Sequence, residues 1–192
     1  MKYSNTARLM LCALFAALTG ICSAIAIPLP FTPVPVNLAT LAVALAGGLL
    51  GFKYGTLSMI VYVLLGAVGA PVFSNFTGGL GILAGPTGGY IIGYISAAFL
   101  TGFVIFLFDE KHAGKRSDCG SQGKRKTGAW VYGFAALVGF LSCYALGTIW
   151  FMASTGTGLW PALIMCVFPF LPGDALKIIC MSLLVKKLRP ML

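Results

Sequence analysis

Charge is what this sequence is shortest of. Only 9% of its 192 residues are charged, against roughly 25% in soluble domains. No Asp, Glu, Lys or Arg occurs in 9–52, 54–108 or 127–173. A spanning helix needs about 20 apolar residues, so each run has room for two, and the soluble class is excluded. Strict polar/apolar alternation is also missing, which excludes an outer-membrane barrel. In lipid the backbone must then satisfy its own polar groups, so the runs are helical. Histidine is reduced to His112 in a polar segment, which leaves no intramembrane His-based triad or zinc site. Six cysteines (Cys12, Cys22, Cys119, Cys143, Cys166, Cys180) lack any C-x-x-C spacing. Five of them sit in apolar stretches as small hydrophobes, and Cys119 lies in the basic segment, so no disulfide or metal framework is implied. Three of the four acids, Asp109, Glu110 and Asp118, lie at or in that same basic segment. The one embedded carboxylate cannot supply an acid–base pair, so neither an enzyme nor a cofactor is expected.

Bases are plentiful by comparison, and their placement is informative. Lys2 and Arg8 precede the first run, Lys53 marks a break, and six bases crowd 109–127. Lys186, Lys187 and Arg189 follow the last run. With the N-terminus inside, twelve of the thirteen bases fall on the cytoplasmic side. That is the positive-inside signature rather than a groove for nucleic acid. The chain is thus expected to be one all-α integral membrane domain over 1–192, multi-pass in the cytoplasmic membrane, with both termini cytoplasmic. Six transmembrane helices are predicted near 8–27, 35–52, 55–71, 88–108, 129–153 and 172–188. Four prolines in Pro28–Pro35 forbid helix there, and Gly51-Phe52-Lys53-Tyr54-Gly55 separates the second helix from the third. A rival reading takes the first run as a secretory signal with Ala24-Ile25-Ala26 as its cleavage site, although its apolar stretch is longer than usual.

Three constellations could carry function. Asp174 and Lys177 are embedded in an apolar context three residues apart, on one face of a helix. A charge near the bilayer centre costs roughly 2.5–3.5 kcal/mol, so the two are expected to pair or to serve a ligand. Asp174 also suits the first turn of a helix opened by Pro172, with Lys177 merely its local partner. The segment Thr77-Gly78-Gly79 through Gly88-Gly89-Tyr90 is glycine-rich yet apolar and uncharged. It reads as backbone lining a cavity rather than a solvated loop, and no Gly-Lys-Ser/Thr follows that would cradle a phosphate. Ala13 and Ala17, one turn apart, make a small-residue stripe suited to close helix approach, either within the bundle or to a partner.

On these residues the chain resembles the BioY family, the biotin-binding S-components of energy-coupling-factor transporters. The likeness covers most of the sequence. It includes Ala13 to Ala17, Pro33-Val34-Pro35, Gly47-Gly48-Leu49-Leu50-Gly51 and Gly69-Ala70-Pro71-Val72-Phe73. Gly85-Pro86-Thr87-Gly88-Gly89-Tyr90 and Pro172-Gly173-Asp174-Ala175-Leu176-Lys177 are its most specific parts. The resemblance implies a six-helix S-component fold with biotin near the outer face, roofed by the loops after the first and third helices. It implies Asp174 and Lys177 as the main polar ligands, with Thr77, Gly78, Gly79 and Tyr90 as pocket candidates. Ala13 and Ala17 would dock on a transmembrane coupling protein that works with two ATPase subunits. Where relatives often carry Gln this chain has Ala39, and where some carry Arg it has Ile91; in some relatives an Asn occupies the region of Thr77. Capture of another small vitamin, or a ligand-free scaffold, are the rival functions.

Overall fold

The computed structural model describes residues 5–30, 32–114 and 129–189. Cys119 and most of the basic segment lie outside the described residues. The chain is mostly helical: α1 (Asn5–Ala24), α2 (Ala39–Ala67), α3 (Leu80–Ala84), α4 (Gly88–Gly114), α5 (Ala129–Thr155), α6 (Leu159–Cys166) and α7 (Leu171–Leu188). Four of these, α1, α2, α4 and α5, are long and apolar enough to cross a membrane. The pair α6 and α7, bent by 53° at the break between them, adds a fifth if taken as one span.

Two expectations are corrected here. The chain is not purely α, because the proline-rich stretch forms an antiparallel ribbon of β1 (Ala26–Leu29) and β2 (Thr32–Asn37). A two-stranded ribbon is all edge, so prolines without an N–H are tolerated in it. Helix α2 accordingly starts at Ala39 rather than 35, with the Ala39 N–H held by Asn37 Oδ1 at 3.1 Å. The described residues form seven α-helices where six transmembrane helices are expected: α3 and α6 are pieces too short to span, and the second and third predicted helices run together as α2.

That long helix is not straight. Gly51 sits at φ +78° and ψ 177° in its middle, a conformation that costs a residue with a Cβ roughly 1–3 kcal/mol. A methyl group on Gly55 would come within 2.9 Å of the Ala46 carbonyl oxygen. Nine residues of straight helix would hold those positions about 13 Å apart. The halves 39–50 and 52–67 therefore lie side by side, folded back at Gly51. Helix α1 runs along the second half, its Cys12 carbonyl accepting from Ser58 Oγ at 2.7 Å.

Helix α4 forms the centre, between α2 and α5. Small residues let these helices close together: a methyl on Gly47 would lie 2.5 Å from the Ala98 carbonyl oxygen. The outward faces carry large apolar side chains, among them Met10, Ile21, Ile149, Leu176 and Leu183, as lipid-facing helices do. At the end where α4 and α7 finish, Arg189 pairs with Asp109 at 2.6 Å and lies over the Tyr132 ring.

Candidate functional site

The sequence Leu171-Pro172-Gly173-Asp174 opens α7 with Pro in the first turn, where a missing N–H is harmless. The Asp174 N–H is held by the Phe170 carbonyl at 2.9 Å. Asp174 and Lys177 thus share a helix face, and that face points inward. They are only 4% and 7% exposed. Lys177 Nζ lies 2.9 Å from Asp174 Oδ1 and 3.0 Å from Thr40 Oγ1 at the start of α2. The Tyr144 hydroxyl, from α5, donates to Asp174 Oδ2. Three helices therefore converge on one buried ion pair. An ammonium has three N–H donors and each carboxylate oxygen two lone pairs. These three bonds leave one donor on Lys177 and one acceptor position on each Asp174 oxygen.

The pair faces a cavity of about 220 Å³. Phe73, Tyr90, Tyr94, Phe140 and Phe170 supply an aromatic wall, and Asn37, Ser74, Asn75, Thr77 and Thr87 add neutral polar groups. Parts of this wall are held from behind. Tyr90 is buried on the flank of α4, its hydroxyl 3.3 Å from Thr148 Oγ1. Phe73, in the segment after α2, packs on the end of that helix, where a Cβ on Gly66 would strike its ring at 2.1 Å. Between Phe73 and Thr77 the chain makes one tight turn, closed by Phe73 N–H to Thr77 O at 2.9 Å, with Asn75 at φ 57° and Phe76 at φ 56°. Asn37 Nδ2 donates to Ser74 Oγ at 3.0 Å and so ties the β-ribbon to this turn across the cavity roof. A second, more open and almost wholly apolar hollow lies between α5 and α6–α7, and Phe140, Tyr144 and Asp174 border both spaces.

Of the residues singled out from sequence, the structure brings Asp174, Lys177, Thr77 and Tyr90 to this one cavity. Gly78 and Gly79 stand behind Thr77 rather than at the wall. A Cβ on Gly78 would meet the Ala70 carbonyl oxygen at 2.3 Å, and Gly79, at φ 102°, donates its N–H to Gly66 O at 2.7 Å. Ile91 lines the cavity, whereas Ala39 is fully buried in α2. Ala13 and Ala17 lie on the exposed face of α1 beside Met10, Leu14 and Ile21, while Cys12, Phe15, Ala16 and Thr19 turn inward. Sequence reasoning did not single out Tyr144, Thr40 or Tyr94. Thr40 lies 137 positions from Lys177, and a Tyr or Thr in an uncharged helix carries no local mark of the partner it will meet.

Comparison with known proteins agrees in scope with this architecture. The model of the BioY family matches residues 1–192. A probable biotin transporter BioY from Pyrococcus horikoshii is 35% identical over 179 residues, covering 93% of this chain and 94% of the relative. The biotin transporter BioY of Thermotoga maritima is 35% identical over 182 residues, covering 95% of each. A crystal structure of the S-component for biotin from an ECF-type ABC transporter aligns with a TM-score of 0.81 and 32% identity, over 97% of this chain and 94% of that one.

Proposed function

The chain belongs to the BioY family, and on that premise we propose that it captures biotin as the substrate-binding S-component of an ATP-driven vitamin transporter. The observation that carries the reading is the buried Asp174–Lys177 pair facing an aromatic cavity. Biotin has a neutral ureido group with two N–H donors and a carbonyl, an apolar thioether ring and a carboxylate-tipped tail. Asp174 and Lys177 are its principal polar ligands, and Tyr90 and Thr77 form part of the enclosing wall. Gly78 and Gly79 contribute by shaping the turn that presents Thr77. A charge-assisted hydrogen bond in such a site contributes about 1.5–3 kcal/mol.

In this reading the chain crosses the cytoplasmic membrane six times with both ends inside. The crossings are α1, the two halves of α2, α4, α5 and α7. The reversal at Gly51 supports counting α2 twice, and the clustering of bases supports the orientation. The cavity then opens outward beneath the β-ribbon and the turn at 73–77. No nucleotide motif occurs in the sequence, so energy comes from two ATPase subunits through a transmembrane coupling protein. The exposed Ala13–Ala17 stripe is the proposed docking face for that protein.

Calorimetry on the detergent-purified chain tests the reading, with biotin, thiamine and riboflavin as parallel titrants. Saturable binding of biotin alone is expected. Binding of another vitamin in its place would transfer the site to that ligand.

A further inference from the structure

The cavity is charged in a way that bears on which part of its ligand it recognises. Its walls are built from 34–40, 73–94, 140–144 and 166–177. In the sequence those segments contain one acid and one base, Asp174 and Lys177, and the two are paired at 2.9 Å. The only base between Arg8 and the 109–127 segment is Lys53, beside the reversal at Gly51. That reversal packs on Gly102, about 12 Å further along α4 than Tyr94. The remaining polar groups at the wall, Asn37, Ser74, Asn75, Thr77 and Thr87, are neutral. The cavity therefore offers a dipole and no net charge.

A ligand carboxylate placed inside such a wall would lose its hydration without gaining a cation of its own, and beside Asp174 it would meet a like charge. A neutral group that both donates and accepts fits the pair. The free N–H of Lys177 suits a carbonyl, and the open acceptor positions of Asp174 suit N–H groups. Asn75 and Thr77 are exposed at the roof, where the end of a tail can keep its water. Resting on the reading of biotin as ligand, we infer that this site selects the neutral ureido head and assigns no cation to the carboxylate, so that carboxyl-neutral biotin derivatives are ligands of the same rank as biotin.

The test is calorimetry on the purified, unaltered chain with biotin, biotin amide, biotin methyl ester and a biotin methylated on a ureido nitrogen. The amide and the ester are expected to bind within about tenfold of biotin, and the ureido-methylated compound to lose a hundredfold or more. Weakening of the amide by more than about tenfold overturns the inference and leaves biotin capture standing, as does unimpaired binding of the ureido-methylated compound. Failure of biotin itself to bind strikes the functional reading beneath it instead.

Discussion

Replacing Asp174 by Asn leaves the Lys177 ammonium charged in a wall where it is only 7% exposed. At 2.9 Å and an effective dielectric constant of about 20, the Coulomb attraction within the pair is on the order of 6 kcal/mol. Desolvation of the two charges offsets most of that, so the pair as a whole adds little to stability. Breaking it from one side is a different matter, because the surviving charge stays buried without its partner at a cost of about 3–5 kcal/mol. Asp174→Asn and Lys177→Met should each destabilise the protein by that order. The double variant, which still offers the Tyr144 hydroxyl an amide oxygen, should regain much of the loss, so the interaction energy from the cycle should exceed the loss of about 3–5 kcal/mol in either single variant. Binding should not recover with stability. Two charge-assisted bonds at about 1.5 kcal/mol or more each amount to an affinity loss of at least about a hundredfold. Unfolding in detergent measures the first quantity and biotin calorimetry the second. A double variant no more stable than either single one would refute the pairing argument. Retention of biotin affinity in it would make the charges structural only and take them out of the binding site.

Tyr144→Phe removes the second anchor of Asp174 without adding volume. It should lower stability by about 1.5–3 kcal/mol and weaken biotin several-fold, and identity with the parent protein in both measurements would take Tyr144 out of the site. Gly147→Ala places a methyl 2.3 Å from the Tyr90 ring, an overpacking that costs about 1–3 kcal/mol. Biotin affinity should fall with it as Tyr90 is pushed into the cavity, and unaltered unfolding and binding would contradict that packing. The orientation can be checked with Cys119 kept as the single cysteine: an impermeant maleimide should label it in inside-out vesicles and leave it untouched in right-side-out ones. The reverse pattern would invert the topology.

How far the sequence reached depended on whether a feature is local along the chain. The membrane class rests on uncharged runs, and each run reports on its own surroundings wherever it ends up. The helix-breaking effect of Pro28–Pro35 was legible for the same reason, because proline acts on its own φ and its own missing N–H. The ribbon that forms there was not legible, since strand pairing needs a partner segment and a register. Gly51 was readable as a break between helices; that the break is a reversal bringing Gly55 against Ala46 is a matter of packing. The small helices α3 and α6 escaped notice because their apolar residues sit in stretches too rich in glycine or too close to proline to show a period.

The site divides along the same line. By itself the sequence determined that one acid and one base stand three residues apart in an apolar setting, and helical geometry alone then puts them on one face. It also determined that the long runs 9–52, 54–108 and 127–173 hold no charge. Only the tertiary structure decided that this face looks inward, that Thr40 and Tyr144 complete the network, and that Phe73 and Tyr90 wall the space in front of it. The physical reason is separation along the chain. A hydrogen bond between residues 137 positions apart is created by the packing of whole helices, and nothing in either residue's own neighbourhood encodes it.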